Sequence, residues 1–317
     1  MLQFSNLNKV KKMKKRVLTI LFLLIGITAF GQINMADSTV QVITYWDKGE
    51  KQNYTLTEEK IKIRGTDTIS KDLMTCDVEI TVLKETDKSY TIQWLYKNIK
   101  TNSTDPAIQK IINMTNDMKI IFKTDELGIF LEVINWKEIK KYIQKQTKIL
   151  RKDFKAIPEM DNIINQVGAT YSTKEAIEST AIKEIQQFHT FHGAKFKLGE
   201  ILQAEQKGHN LYGAEPFDID LSVYLEEINE EDNNFTMRSI QAVNQEQLTN
   251  TVFDYLTKMA KKMNIPSPKR EDLKDLKNET LTASRIHETG WVIYSFQTTT
   301  VTLDDTTNIE ERIIEIQ

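Results

Sequence analysis

The sequence predicts an α+β protein: one or more curved antiparallel β-sheets with helices packed on one side. Three features predict it. Residues 76–83 and 90–96 alternate apolar and polar side chains with period two around a polar turn. Between strand pairs of this kind lie stretches of helical periodicity with recognisable caps. The order hairpin, helix, hairpin also occurs twice, at about 76–134 and 218–303, as two related halves would show.

The first element is not part of the folded body. Lys9, Lys11, Lys12, Lys14, Lys15 and Arg16 form a basic block, residues 17–30 run largely apolar, and Ala29-Phe30-Gly31 leads into Gln32. This is the pattern of a secretory signal peptide, residues 1–31, with cleavage expected between Gly31 and Gln32. Its apolar run is shorter than the roughly 20 residues that a spanning helix needs. The single cysteine is Cys76, so no lipobox cysteine stands at the cut. The expectation is an exported protein, periplasmic or extracellular, soluble once cleaved and not a lipoprotein. Met13 offers a second possible start for a compact signal.

Residues 40–46 and 52–58 flank Asp47-Lys48-Gly49, which reads as a hairpin turn. The apolar phase then flips from Tyr54 and Leu56 to Ile61 and Ile63, as a bulge or bend would cause. Cys76, Val78, Ile80 and Val82 share one strand face, opposite Asp77, Glu79 and Thr81, which places the thiol among apolar neighbours. Glu85-Thr86-Asp87-Lys88 turns the chain, and Tyr90, Ile92, Trp94 and Tyr96 return it. Asp105-Pro106 opens a short helix, with Asp as N-cap and Pro in the first turn. Residues 118–123 and 129–134 form the next hairpin around Gly128. Asn135 then caps a helix from 136 to about 155, with Glu138 placed to reach back, and Pro158 closes the section. Ser172 with Glu175 opens a helix to about His192, stopped by Gly193.

The second part repeats the order. Ile219, Leu221, Val223 and Leu225 alternate, residues 229–234 turn, and residues 235–243 return. Leu248, Val252, Leu256, Met259 and Met263 share one face of a helix that ends before Pro266. Strands are expected next at 280–287, 291–303 and 309–316. Both second hairpins carry Glu-x-Gly at the turn, Glu126-Leu127-Gly128 and Glu288-Thr289-Gly290. Duplication and convergent turn chemistry explain that equally well. The best boundary divides residues 32–170 from 171–317, as two α+β halves or one continuous domain.

Charge narrows the partners. The signal removes six of the 42 basic residues and none of the 45 acidic ones, which leaves a body of net charge −9. Such a body repels nucleic acid and anionic membrane surfaces. No later segment is long and apolar enough to span a membrane. Gly-x-Ser-x-Gly, phosphate-cradling loops and His-Glu-x-x-His are missing, and no cofactor is expected.

The remaining chemical candidates each have a plainer structural reading. His189 and His192 are three apart on one helix and form the best metal-like pair. They also sit in the last turn, where histidines favour the helix dipole and bond free carbonyls. Asp218 and Asp220 share a strand face, roughly 7 Å apart by strand geometry, and a solvated face explains them better than catalysis. The acidic tip Glu230-Glu231-Asp232-Asn233-Asn234 lacks the spacing of a calcium loop. Trp46, Trp94, Trp136 and Trp291 fit core or rim packing.

Tyr45-Trp46-Asp47-Lys48-Gly49-Glu50, the 90–96 strand and the run from Gly128 to Asn135-Trp136 resemble uncharacterised secreted proteins of Bacteroidetes-type bacteria, as does the signal ending Phe30-Gly31-Gln32. These are turn and core residues, so the resemblance implies export and fold and carries no functional residue. At fold level alone, the expected architecture is similar to that of periplasmic lipoprotein carriers. The leading expectation is a non-enzymatic envelope protein that binds an apolar small ligand, a lipid or a protein partner. The alternatives are an exported hydrolase using a metal or paired carboxylates, and a structural interaction module of the envelope.

Overall fold

The computed structural model describes residues 32–155, 157–208, 210 and 215–317. The expected signal peptide, with Gly31, lies outside the described residues. Gln32 is buried, and its carbonyl accepts from the Gln41 amide at 2.9 Å.

In chain order the strands of the first half are β1 (Ile33–Asn34), β2 (Thr39–Gln41), β3 (Lys51–Arg64), β4 (Asp67–Thr86), β5 (Ser89–Thr101), β6 (Lys119–Asp125) and β7 (Phe130–Val133). Helix α1 (Pro106–Asn113) lies between β5 and β6. Helices α2 (Trp136–Asp153), α3 (Pro158–Thr170) and α4 (Lys174–Ala176) come after β7, then a π-helical turn (Ile177–Ala181) and α5 (Lys183–His189). The second half holds β8 (Lys195–Lys197), β9 (Ile201–Gly208), β10 (Phe217–Asn229), β11 (Asn234–Val243), helix α6 (Gln245–Met263), β12 (Lys277–His287), β13 (Val292–Leu303) and β14 (Thr306–Ile316).

Eleven strands form one open antiparallel sheet in the order β7-β6-β5-β4-β3-β14-β13-β12-β11-β10-β9. The three others form a small sheet, β1-β2-β8. The architecture is the expected α+β. The large sheet consists of two meanders, β3 to β7 and β9 to β14, joined where β3 pairs with β14 from Arg64↔Thr306 to Tyr54↔Ile316.

One face of the sheet carries the core. Tyr54, Leu56, Cys76, Val78, Ile80, Ile92, Trp94, Met237, Phe235 and Ile314 are all buried there. Registers such as Tyr54↔Val78, Val78↔Tyr96 and Ile80↔Trp94 align these residues across the strands. Against them pack Ile139, Ile143 and Leu150 of α2, Ile164 of α3, and Ile185 and Phe188 of α5. Helix α6 covers a smaller cluster, Phe217, Leu248 and Leu276. No described helix is long and apolar enough to cross a membrane.

The hairpin of β4 and β5 and the hairpin of β10 and β11 stand as expected. Asp105 caps α1 by accepting from the Ala107 amide at 2.7 Å. Five expectations are corrected. Residues 40–46 do not pair with the strand after them: β2 joins β8, and Val42 exchanges bonds with Gly193 and Ala194, so the strip runs beside a distant segment. The phase flip in β3 needs no extra residue there, because Ile61 and Ile63 lie on the opposite face and the register shift falls at Lys62/Ile63, against Ser70 and Thr68 of β4. Pro158 opens α3 rather than ending a section, since proline suits a first helical turn. Asn135 precedes α2 but spends its side chain on the Ile121 amide and the Lys119 carbonyl, and makes no cap bond. The single helix expected from 172 to 192 is broken at the π turn, and its cap is Thr173, accepting from Ala176 at 3.1 Å.

Candidate functional site

The site lies beside the break before α5, where a π turn holds one residue more than an α turn. Lys183 and Glu184, just beyond it, line a cleft of about 250 Å³ between the helical layer and the sheet. Leu56, Met74, Cys76, Ile99, Met118 and Tyr171 supply apolar wall. Glu58, Lys60, Glu310 and Arg312 bring charge from β3 and β14, the two strands at the junction of the meanders. A volume this size is over ten times the roughly 10–15 Å³ that one water needs.

The charges are ordered. Lys60 pairs with Glu58 at 2.7 Å, Lys183 with Glu310 at 3.1 Å, and Arg312 with Glu310 at 2.7 Å. Arg312 is only 3% exposed and also donates to Gln297 at 3.1 Å, while its Nε has no partner. Burial alone would raise the Glu310 carboxyl, but Lys183 and Arg312 outweigh it and hold Glu310 below the ordinary range. Burial likewise depresses Lys60, and Glu58 more than restores it. Glu184 differs: desolvation pushes its pKa up to about 7, with Arg312 opposing and Glu58 and Glu310 adding to the rise. The Tyr96 hydroxyl donates to its Oε1. Among the described residues no lysine or arginine forms an ion pair with Glu184.

Cys76 lies on the wall of the cleft at 2% exposure, and burial pushes its thiol up to about 12. It is a small apolar side chain here, as its strand phase suggests.

His189 and His192 are both 6% exposed, with ring centroids 5.0 Å apart. His189 Nδ1–H donates to the Gly128 carbonyl at 2.8 Å, and His192 Nε2–H donates to the Gly290 carbonyl at 2.9 Å. A carbonyl can only accept, so each bond fixes its tautomer. The two histidines therefore tie the two Glu-x-Gly turns to the end of α5. Segment 42–46 threads between those turns: Tyr45 N donates to Thr289 O at 3.1 Å and Thr44 Oγ1 donates to Glu126 O at 3.4 Å, while the Tyr90 hydroxyl donates to Thr44 O at 3.0 Å. Trp46 stacks on Trp291 at 4.1 Å beside both rings. Burial lowers both imidazoles, His192 to about 4 and His189 well below the ordinary histidine value, so both are neutral at pH 7. Among the described residues no group of three or more His, Cys, Asp or Glu is arranged to hold a metal ion.

The acid pair is separated by its partners. Asp218 binds Lys207 and accepts from Gln247 Nε2 at 2.6 Å, whereas Asp220 stands exposed on the strand. In the acidic tip, Asp232 and Asn229 bond each other at 2.8 and 3.2 Å across the turn between β10 and β11.

The sequence reading missed Glu184 and Arg312. Glu184 falls inside the apolar stripe Ile177, Ala181, Ile185, Phe188, and Arg312 has the same strand parity as Ile314 and Ile316. An ionisable residue in an apolar phase was the available signal.

No protein-family model matches the chain, and no curated protein does. Among solved structures, one titled for lipid–protein interactions in lipovitellin aligns over 86% of this chain at 8% identity and a TM-score of 0.43. The alignment spans 25% of that chain, so the present chain matches about a quarter of lipovitellin's length. A Bacteroides fragilis protein described as exported, with a YmcC-like fold, aligns over 87% of this chain and 99% of its own at 5% identity and a TM-score of 0.24. Neither superposition is close enough to assign a role.

Proposed function

We propose that the chain is an exported binding protein that holds a small, largely apolar ligand in the cleft beneath α5. One observation carries this reading: a cleft of about 250 Å³ beside the buried core, whose wall is part apolar (Leu56, Met74, Cys76, Ile99 and Met118) and part charged. A concavity where apolar side chains meet convergent polar groups is the usual form of a ligand site. The charged groups would orient a ligand whose body lies against Leu56, Met74 and Met118.

The test uses the full exported protein. Native mass spectrometry and solvent extraction should recover a small molecule, and the apolar dye N-phenylnaphthylamine should bind and be displaced by it. Ala181→Trp fills the cleft from the π turn and should abolish dye binding while leaving the circular dichroism spectrum intact. Equal dye binding by wild type and the Trp variant would overturn the proposal.

A further inference from the structure

We infer that the ligand of this cleft is a cationic amphiphile, an alkyl chain bearing one amine, with the Glu184 carboxylate as its counter-ion. The inference rests on the cleft being a ligand site. Its basis is the pairing of charges there. Three acids, Glu58, Glu184 and Glu310, share the cleft with three bases, Lys60, Lys183 and Arg312. Every base is engaged by Glu58 or Glu310. Among these six, Glu184 alone lacks an ionic partner, and its side chain accepts a hydrogen bond from Tyr96 at Oε1. A desolvated carboxylate in this position is poorly stabilised until a cation joins it. The cations already present serve it only in part: Lys60 and Lys183 are more than half exposed at the rim, and the Arg312 guanidinium, which acts on Glu184 from a distance, makes its bonds to Glu310 and Gln297. Tyr96 and Tyr171 line the same space, and aromatic faces attract an ammonium group.

Protonation of Glu184 should oppose binding. The carboxyl titrates at about 7. The other groups facing it are Glu58 and Lys60 of β3, Cys76 of β4, Tyr96 of β5, Tyr171 after α3, Lys183 of α5, and Glu310 and Arg312 of β14. No histidine lies among these cleft residues.

Binding of dodecylamine, dodecanol and laurate, each below its micelle or solubility limit, is measured by calorimetry at pH 8 and pH 6. Dodecylamine stays charged at both pH values, so its affinity should fall about tenfold at pH 6, following the ionised fraction of a group titrating near 7. At pH 8 it should exceed dodecanol by about tenfold, and Glu184→Gln should remove that advantage without weakening dodecanol. If dodecanol or laurate binds as tightly as dodecylamine, or dodecylamine binds equally at both pH values, the inference fails and the cleft reading stands. If none of the three binds, the cleft reading itself fails. The pH comparison uses wild type alone, so it decides the matter even if the variant does not fold.

Discussion

Acid should weaken this protein through His192. The imidazole is neutral in the fold, titrating at about 4 because burial disfavours its charged form, against 6.5 for a free histidine. Below 6.5 the unfolded chain therefore takes up a proton that the folded chain refuses. Stability from this group is intact above pH 6.5, falls as pH drops toward 4, and is constant below that. At about 1.36 kcal/mol per pH unit the loss is ~3 kcal/mol. His189, held well below the ordinary value by burial and by His192, acts in the same direction. Glu184 acts in the opposite direction, since its raised pKa favours the fold as pH falls from about 7 toward 4.5. The informative quantity is therefore the difference between wild type and His192→Phe, in which the Glu184 contribution cancels. The variant keeps a ring but leaves the Gly290 carbonyl without the Nε2–H donor, a loss of about 1–3 kcal/mol at pH 7.5. Urea unfolding, followed by the fluorescence of the stacked Trp46 and Trp291, should give two stability curves that converge as pH approaches 4. A gap that stays constant from pH 7.5 to 4.5 would refute the reasoning.

Two further outcomes are expected. Gly290 has φ +84 and a Cβ there would overlap the Ile43 carbonyl oxygen, whereas Gly49 has φ +91 in open space. Gly49→Ala should cost about 1–2 kcal/mol from backbone strain alone, and Gly290→Ala should cost clearly more; equal shifts in thermal midpoint would show that the close approach is not maintained in solution. Cys76 should resist iodoacetamide at pH 8 in the native protein and react fully in urea, given its burial and raised pKa. Native labelling at the denatured rate would contradict that placement.

The strands whose side chains alternate are legible because period two has a single structural cause. Residues 76–83 and 90–96 show it, with four apolar positions on each strand facing the helices. The illegible parts depend on contacts distant in sequence. Asp47-Lys48-Gly49 does turn, but the segment before it bonds residues 193 and 194, which no local pattern announces. Strand β9 is an edge strand whose Ile201 and Leu202 are exposed, so no alternation marks it. Pro158 reads as the close of a section, and only the helix beyond it shows that it opens one. For the cleft, the helical spacing of Glu184 from Ile177, Ala181 and Phe188 places it on the apolar face; that Glu58, Glu310 and Arg312 meet it there required the fold. Histidines in a last helical turn are expected to bond carbonyls, and His189 and His192 do. That the carbonyls belong to the two Glu-x-Gly turns required the fold.

The junction of β3 with β14 also governs when the sheet can be finished. Its partners, Tyr54 with Ile316 and Arg64 with Thr306, stand about 250 residues apart. Contacts so remote close late, and folding dominated by them is slow. Until β14 is in place, β3 presents one unpaired backbone edge fourteen residues long, a template for any other strand. The half-built molecule is thus most vulnerable to sticking to its neighbours between the synthesis of its third strand and the arrival of its last. Conditions that lengthen that interval should cost yield before they affect the finished protein.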